Sequence, residues 1–131
     1  MHYWIASAVA RLASAGAVVR SDAAADSDVL IWIATEVDTR EGMDDLYALS
    51  HASVRNVRRQ GRVLVVGRDP KDAASPSACA RRAALDGFTR SVAKELGRKG
   101  ATANRIVISR DAINEASEVA LYLASDAASF I

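Results

Sequence analysis

Between Ile5 and Ala15 the larger apolar residues Ile5, Val9 and Leu12 recur at helical spacing among alanines, and Gly16 stands where a helix C-cap belongs. This pattern predicts a first helix. The β-branched run Ala17 to Arg20 predicts a short strand, and the small polar stretch Ser21 to Ser27 a loop. Asp28 to Ile33 is apolar without alternation, as in a strand covered on both faces, and is expected at the centre of a parallel sheet.

After a polar segment, Thr35 to Gly42, the residues Met43, Leu46, Ser50, Val54 and Val57 return every three or four positions. They predict an amphipathic helix that stops near Gly61. Arg62 to Val66 reads as a second buried strand. Gly67 to Ser77 holds both prolines, Pro70 and Pro76, so it is a loop whose second proline is placed to open the next helix. That helix carries Ala78, Leu85, Phe88, Val92 and Leu96 on one face, has Lys94 and Arg98 toward its end, and is closed by Gly97 and Gly100. Ile106 to Ile108 supplies a further strand, and Glu115 to Ala124 a last helix with Ala116, Val119, Ala120 and Leu123 in one stripe.

Strands alternating with helices in this order imply a mainly parallel sheet of about four strands with helices on both sides, joined by right-handed crossovers. The expected fold is therefore a single-domain three-layer α/β sandwich, Rossmann-like or flavodoxin-like, spanning residues 1–131. Half of the chain is hydrophobic, and 17 basic against 16 acidic side chains leave a formal net charge of +1. That balance gives no electrostatic footprint for nucleic acid or an anionic membrane. One cysteine, Cys79, excludes an internal disulfide framework and fits a reducing cytoplasm. The apolar start, Met1 to Ala6, has no basic region before it, and Arg11 and Arg20 interrupt any stretch long enough to span a bilayer.

Residues Arg82-Ala83-Ala84-Leu85-Asp86-Gly87-Phe88-Thr89-Arg90-Ser91-Val92-Ala93-Lys94-Glu95-Leu96, followed by Gly100-Ala101-Thr102-Ala103-Asn104, resemble the active-site helix and following strand of short-chain dehydrogenase/reductases. The β-ketoacyl-acyl-carrier-protein reductase branch is the most similar. Gly61 to Val66 resembles the strand before that helix, Asp28 to Ile31 the strand leading to an Asn-Asn-Ala-Gly turn, and Glu118 to Ile131 the helix near the C-terminus of that family. The resemblance implies a serine, a tyrosine and a lysine four residues after the tyrosine as the proton-transfer set, and NAD(P) as cofactor.

The matching positions depart from that set. Arg82 stands at the lysine position, Ala78 at the tyrosine position, and Arg68 near the serine position. Alanine has no proton to transfer, and a guanidinium does not titrate near neutral pH. Ser75 and Ser77 lie on the proline-containing loop with no histidine or lysine at an activating spacing. The chain opens inside what would be the first helix, without the glycine-rich turn that lets a backbone approach a pyrophosphate. Trp32-Ile33-Ala34-Thr35 replaces the Asn-Asn-Ala-Gly turn, and the indole is expected to fill the cofactor site. No catalytic, cofactor-binding or metal-binding residue is therefore assigned.

The shortened, triad-less version of the fold resembles the degenerate flavodoxin-like N-terminal domain of high-molecular-weight actinobacterial β-ketoacyl reductases. The resemblance implies a structural or dimerising role. The alternative is an NAD(P)-dependent oxidoreductase of the 3-oxoacyl-acyl-carrier-protein reductase type, and a flavin-binding module is a third reading that lacks its phosphate loop.

Arg68, Arg81 and Arg82 define a candidate anion pocket, against solvated arginines as the plainer reading. Arg58, Arg59 and Arg62 are explained by a helix dipole. Cys79 is read as a small buried thiol, and His2 and His51 are too isolated for a metal. The helices 43–59 and 77–96 carry Tyr47, Val54, Phe88 and Val92. Through them a homodimer, or association with a reductase domain, is expected.

Overall fold

The computed structural model describes residues 3–19, 26–110 and 112–131. Helix α1 (Tyr3–Ser14) ends as its sequence predicts. The Ala17 amide donates to the Leu12 carbonyl and the Gly16 amide to the Ala13 carbonyl, each at 3.0 Å, with Gly16 at φ +89°. This closing geometry needs a left-handed residue, which glycine supplies without a Cβ penalty. Ala17 to Val19 form no strand: Val18 is 91% exposed, so the β-branched run has no buried face with which to join a sheet. Arg20 and residues 21–25 of the expected loop lie outside the described residues, as does His2.

Strands β1 (Ser27–Ile33), β2 (Val57–Arg68) and β3 (Thr102–Ile108) form one parallel sheet in the order β1-β2-β3. The described sheet thus has three strands where about four were expected. Its centre is β2, not the 28–33 segment: Val63 to Val66 are fully covered, while Val29, Ile31 and Ile33 of β1 are half-buried. An apolar run reports burial of a strand's faces, not whether both of its edges are paired.

Helix α2 (Arg40–Ser53) opens on Thr39, whose Oγ1 accepts from the Gly42 amide at 3.1 Å. It stops well before the expected boundary near Gly61, so the helix placed at 43–59 is a helix to Ser53, a 3-10 turn at Val54–Asn56, and the start of β2. Val57 stands three residues after Val54 and so continued the helical stripe, yet it is buried against the sheet as the register partner of Ser27. Between that pair and the next, Val29 with Arg62, β2 bulges, and Gln60 takes a positive φ of 59°. Arg58, Arg59 and Arg62 accordingly lie on a strand and not at a helix end. Arg58 pairs with Asp28 at 2.6 Å, and buried Arg62 reaches Asp126 at 3.4 Å.

Helix α3 (Pro76–Leu96) begins where Pro76 predicted, with the Ser75 Oγ accepting from the Ala78 amide at 3.2 Å. Helix α4 (Ile113–Ala124) packs on β3 and β2, and α1 lies on α4, where Arg11 forms an ion pair with Glu118. The sheet separates two cores. Leu30, Trp32, Val63, Val65, Leu85, Val92 and Leu96 join it to the α2 and α3 layer. Leu64, Val66, Ile106, Ile108, Ala116 and Ala120 join it to α4. The three-layer α/β sandwich is therefore formed. No described helix is long and apolar enough to cross a membrane.

Candidate functional site

All three strands run the same way, so their carboxyl ends converge on one edge. The β1–α2 loop leaves it at Ala34, whose amide donates to the Val66 carbonyl at 2.7 Å. Asp69, just past β2, likewise donates its amide to the Ile108 carbonyl at 2.9 Å. Between the β1–α2 loop, the start of α2 and the end of β2 lies a crevice of about 460 Å³, lined among others by Thr35, Glu36, Asp38, Glu41, Asp45 and Arg68.

Arg82, one and a half turns into α3, projects beneath this crevice with its side chain only 7% exposed. Its Nε and Nη2 donate to the two carboxylate oxygens of Asp38, each at 2.7 Å, and its Nη1 donates to the Asp69 carbonyl at 2.8 Å. Arg81 adds an Nη1 bond to the Asp38 backbone carbonyl at 3.1 Å. The parallel fork of a guanidinium on a carboxylate is the strongest geometry open to such a pair. The hydrogen bond from Arg82 holds the Asp38 carboxyl below the usual carboxylate range against the opposing pull of burial. The same bond raises the Arg82 guanidinium above its already high value. Arg82 is thus a clamp that joins the β1–α2 loop, the end of β2 and α3.

Ala78, one turn earlier on α3, is buried and offers only a methyl group. Arg68 lines the crevice and Arg81 and Arg82 bond to Asp38, so the anion around which the three guanidinium groups gather is the chain's own Asp38 carboxylate. Ser75 and Ser77 are exposed, with their hydroxyls 3.3 Å apart, and Ser75 serves as the helix cap. Cys79 is half-buried instead of enclosed. His51 stacks on Tyr47 at 5.5 Å. Among the described residues, no three histidines, cysteines or carboxylates stand close enough to hold a metal ion.

Trp32 departs from its expected place. It points away from the carboxyl edge, into the core under α2 and α3, and is 2% exposed. Its Nε1 donates to the Ser53 Oγ at 2.9 Å, and its ring meets Phe88 at 5.9 Å, tilted by 47°. The indole is a packing element, not a plug in a cofactor site. Trp32→Phe is expected to lower stability by about 1–2 kcal/mol, from lost volume and a lost buried hydrogen bond, measurable by urea denaturation.

Asp38 is the site residue that sequence reasoning missed. It lies in a segment read only as polar loop, and its partner is 44 positions away. A usable signal was present in Arg82 itself: an arginine among the buried positions of an amphipathic helix requires a carboxylate.

A parallel sheet between two helical layers, with its crevice at the strand carboxyl ends, defines the open α/β class that binds ligands at that edge. No family model and no curated protein sequence matches the chain. Solved structures do. A variant of a short-chain dehydrogenase/reductase from Serratia marcescens superimposes with TM-score 0.72 at 19% identity, over 100% of this chain and 88% of that one. An oxidoreductase of the same family from Burkholderia thailandensis gives 0.60 at 23%, covering 96% and 64%. A short-chain dehydrogenase from Burkholderia cenocepacia, solved in complex with NADP, gives 0.59 at 15%, covering 98% and 66%. The fold is that of the short-chain dehydrogenase/reductases.

A dinucleotide brings a doubly negative pyrophosphate. In this crevice it meets the carboxylates of Glu36, Glu41 and Asp45 with the lining guanidinium of Arg68, the Asp38 carboxylate being already paired with Arg82. Like charges in a partly enclosed site repel, so the described residues do not fit NAD(P) at this edge.

Proposed function

We propose that the chain is a non-catalytic short-chain dehydrogenase/reductase-like domain that stabilises or dimerises a β-ketoacyl reductase system. In this reading it corresponds to the degenerate N-terminal domain of the high-molecular-weight actinobacterial enzymes. The observation that carries the reading is the buried fork of Arg82 on Asp38 at the lysine position, beside a buried methyl group at the tyrosine position. A lysine there would tune a phenol and reach a ribose. Three of the arginine's five N–H donors are held by protein acceptors, and among the described residues no phenol stands beside it.

The structural role draws on the helical layer outside the clamp. Of the residues expected at an interface, Val92 is buried and Val54 and Phe88 pack against the core, which leaves Tyr47, 65% exposed on α2, to meet an identical chain or a reductase domain.

Calorimetric titration with NADPH and with NADH tests the reading directly. No heat of binding is expected up to about millimolar cofactor, where a functional reductase binds at about micromolar levels or tighter. A 3-oxoacyl thioester is expected to remain unreduced in the same mixture. Micromolar binding with turnover would establish the oxidoreductase reading in its place.

A further inference from the structure

Just past β2 the chain contains its one aspartyl-prolyl bond, Asp69–Pro70, and the fold fixes the groups around it. The Asp69 amide donates to the Ile108 carbonyl at 2.9 Å, which ties the residue to β3. Its Oδ1 accepts from the Lys71 amide, also at 2.9 Å. An oxygen bonded to that amide lies on the carboxyl side of its own residue, over the bond to Pro70. The Asp69 backbone carbonyl accepts from Arg82 Nη1 at 2.8 Å, so a buried guanidinium polarises the carbonyl of that same bond. Asp69 and Pro70 are half-buried, within reach of water.

These are the parts of an acyl-transfer site. A carboxyl held beside its own main-chain carbonyl is a nucleophile that closes a cyclic anhydride, and the fixed geometry removes most of the entropic cost of their meeting. Arg82 sets positive charge where the oxyanion develops. Proline is the leaving group: its nitrogen carries no N–H, belongs to a tertiary amide, and departs as a basic secondary amine. The nearby carboxylates are engaged elsewhere. Asp38 holds the other edge of the same guanidinium, and Asp72 accepts from the Arg110 amide at 2.9 Å. Lys71 is exposed on the turn that Pro70 opens.

We propose that Asp69–Pro70 is a self-cleavage site. A side-chain oxygen of Asp69 attacks the Asp69 carbonyl carbon, the C–N bond to Pro70 breaks, and the carboxyl proton passes to the departing nitrogen. Water then opens the anhydride, restoring the side-chain carboxyl and leaving a new terminal carboxyl. Water is the only co-reactant, and nothing is oxidised or reduced. Arg82 meets a neutral carbonyl at the start, an oxyanion in passage and a carboxylate at the end, so its charge stabilises the later states more than the first. The two pieces stay together, because β2 in one remains paired with β3 in the other and Asp38 with Arg82. The reaction involves this chain alone, and it stands or falls separately from any binding of cofactor or reductase.

The test uses the full chain at about pH 5, where Asp38 remains ionised, both folded and in enough urea to unfold it. Mass spectrometry under denaturing conditions is expected to find pieces 1–69 and 70–131 forming at least about tenfold faster from the folded chain. The cut protein is expected to elute at its uncut size on gel filtration without denaturant. Asp69→Ser, which keeps an oxygen for the Lys71 amide but has no carboxyl, is expected to abolish cleavage. Asp38→Leu with Arg82→Met is expected to cut no faster than the unfolded native chain. Cleavage of the unfolded chain at an equal or greater rate overturns the proposal, since the bond would then show only the acid lability common to such bonds. An uncut folded chain, or undiminished cleavage in either variant, overturns it as well.

Discussion

Asp38→Ala is expected to destabilise the chain by about 3 kcal/mol, the low end of the range for breaking a buried ion pair, because Asp38 itself is 36% exposed. The loss comes less from the attraction removed than from the guanidinium left behind. Arg82 is almost fully covered, and with Asp38 gone the acceptor that remains to its side chain among the described residues is the Asp69 carbonyl. A melting point lower by about 10 °C is the corresponding readout for a domain of this size. Replacing both partners, Asp38→Leu with Arg82→Met, is expected to recover most of the loss, since a well-packed apolar pair of similar volume carries no buried charge.

The same pair sets an acid limit. The folded state holds the Asp38 carboxyl below its ordinary range, so the unfolded chain binds its proton first as pH falls. The stabilisation is full above the ordinary carboxylate range and is lost as pH drops through the lowered folded value. Arg82 stays charged throughout. Urea midpoints measured from about pH 7 down to about pH 3 are expected to fall more steeply for the native chain than for Asp38→Asn, whose side chain does not titrate.

Gly42→Ala is the second large effect. A Cβ at Gly42 would lie 1.7 Å from the Glu36 carbonyl oxygen and 2.6 Å from its carbon, both backbone atoms that no side-chain rotation can move. Relief requires the β1–α2 loop to shift off the first turn of α2, which disturbs the Thr39 cap and the loop that carries Asp38. A cost of at least about 2–3 kcal/mol is expected. Gly87→Ala is the control. Nothing lies within 4 Å of a Cβ at that exposed position in α3, so better helix propensity is expected to stabilise the chain by about 0.5–1 kcal/mol. Paired denaturation curves for the two substitutions separate local crowding from any general intolerance of glycine replacement.

Features set by neighbours in the chain were legible before the fold was known. Gly16 ends α1 because its left-handed φ closes the last turn, and Pro76 after Ser75 opens α3 because a proline at the first turn sacrifices no hydrogen bond. The four-residue core of β2, Val63 to Val66, was equally plain. The end of α2 was not, since Val57 satisfies the helical period and the strand core at once. Only its pairing with Ser27 decides between them.

The sequence by itself determined the α/β class and the positions of α3 and of the strand core Val63 to Val66, because periodicity and caps are properties of the chain taken in order. The tertiary structure alone decided that Trp32 belongs to the core, that β2 and not β1 is the central strand of the described sheet, and that Arg82 is neutralised by Asp38. Each depends on which residues meet after folding, and a contact across 44 positions leaves no periodic trace in the chain that makes it.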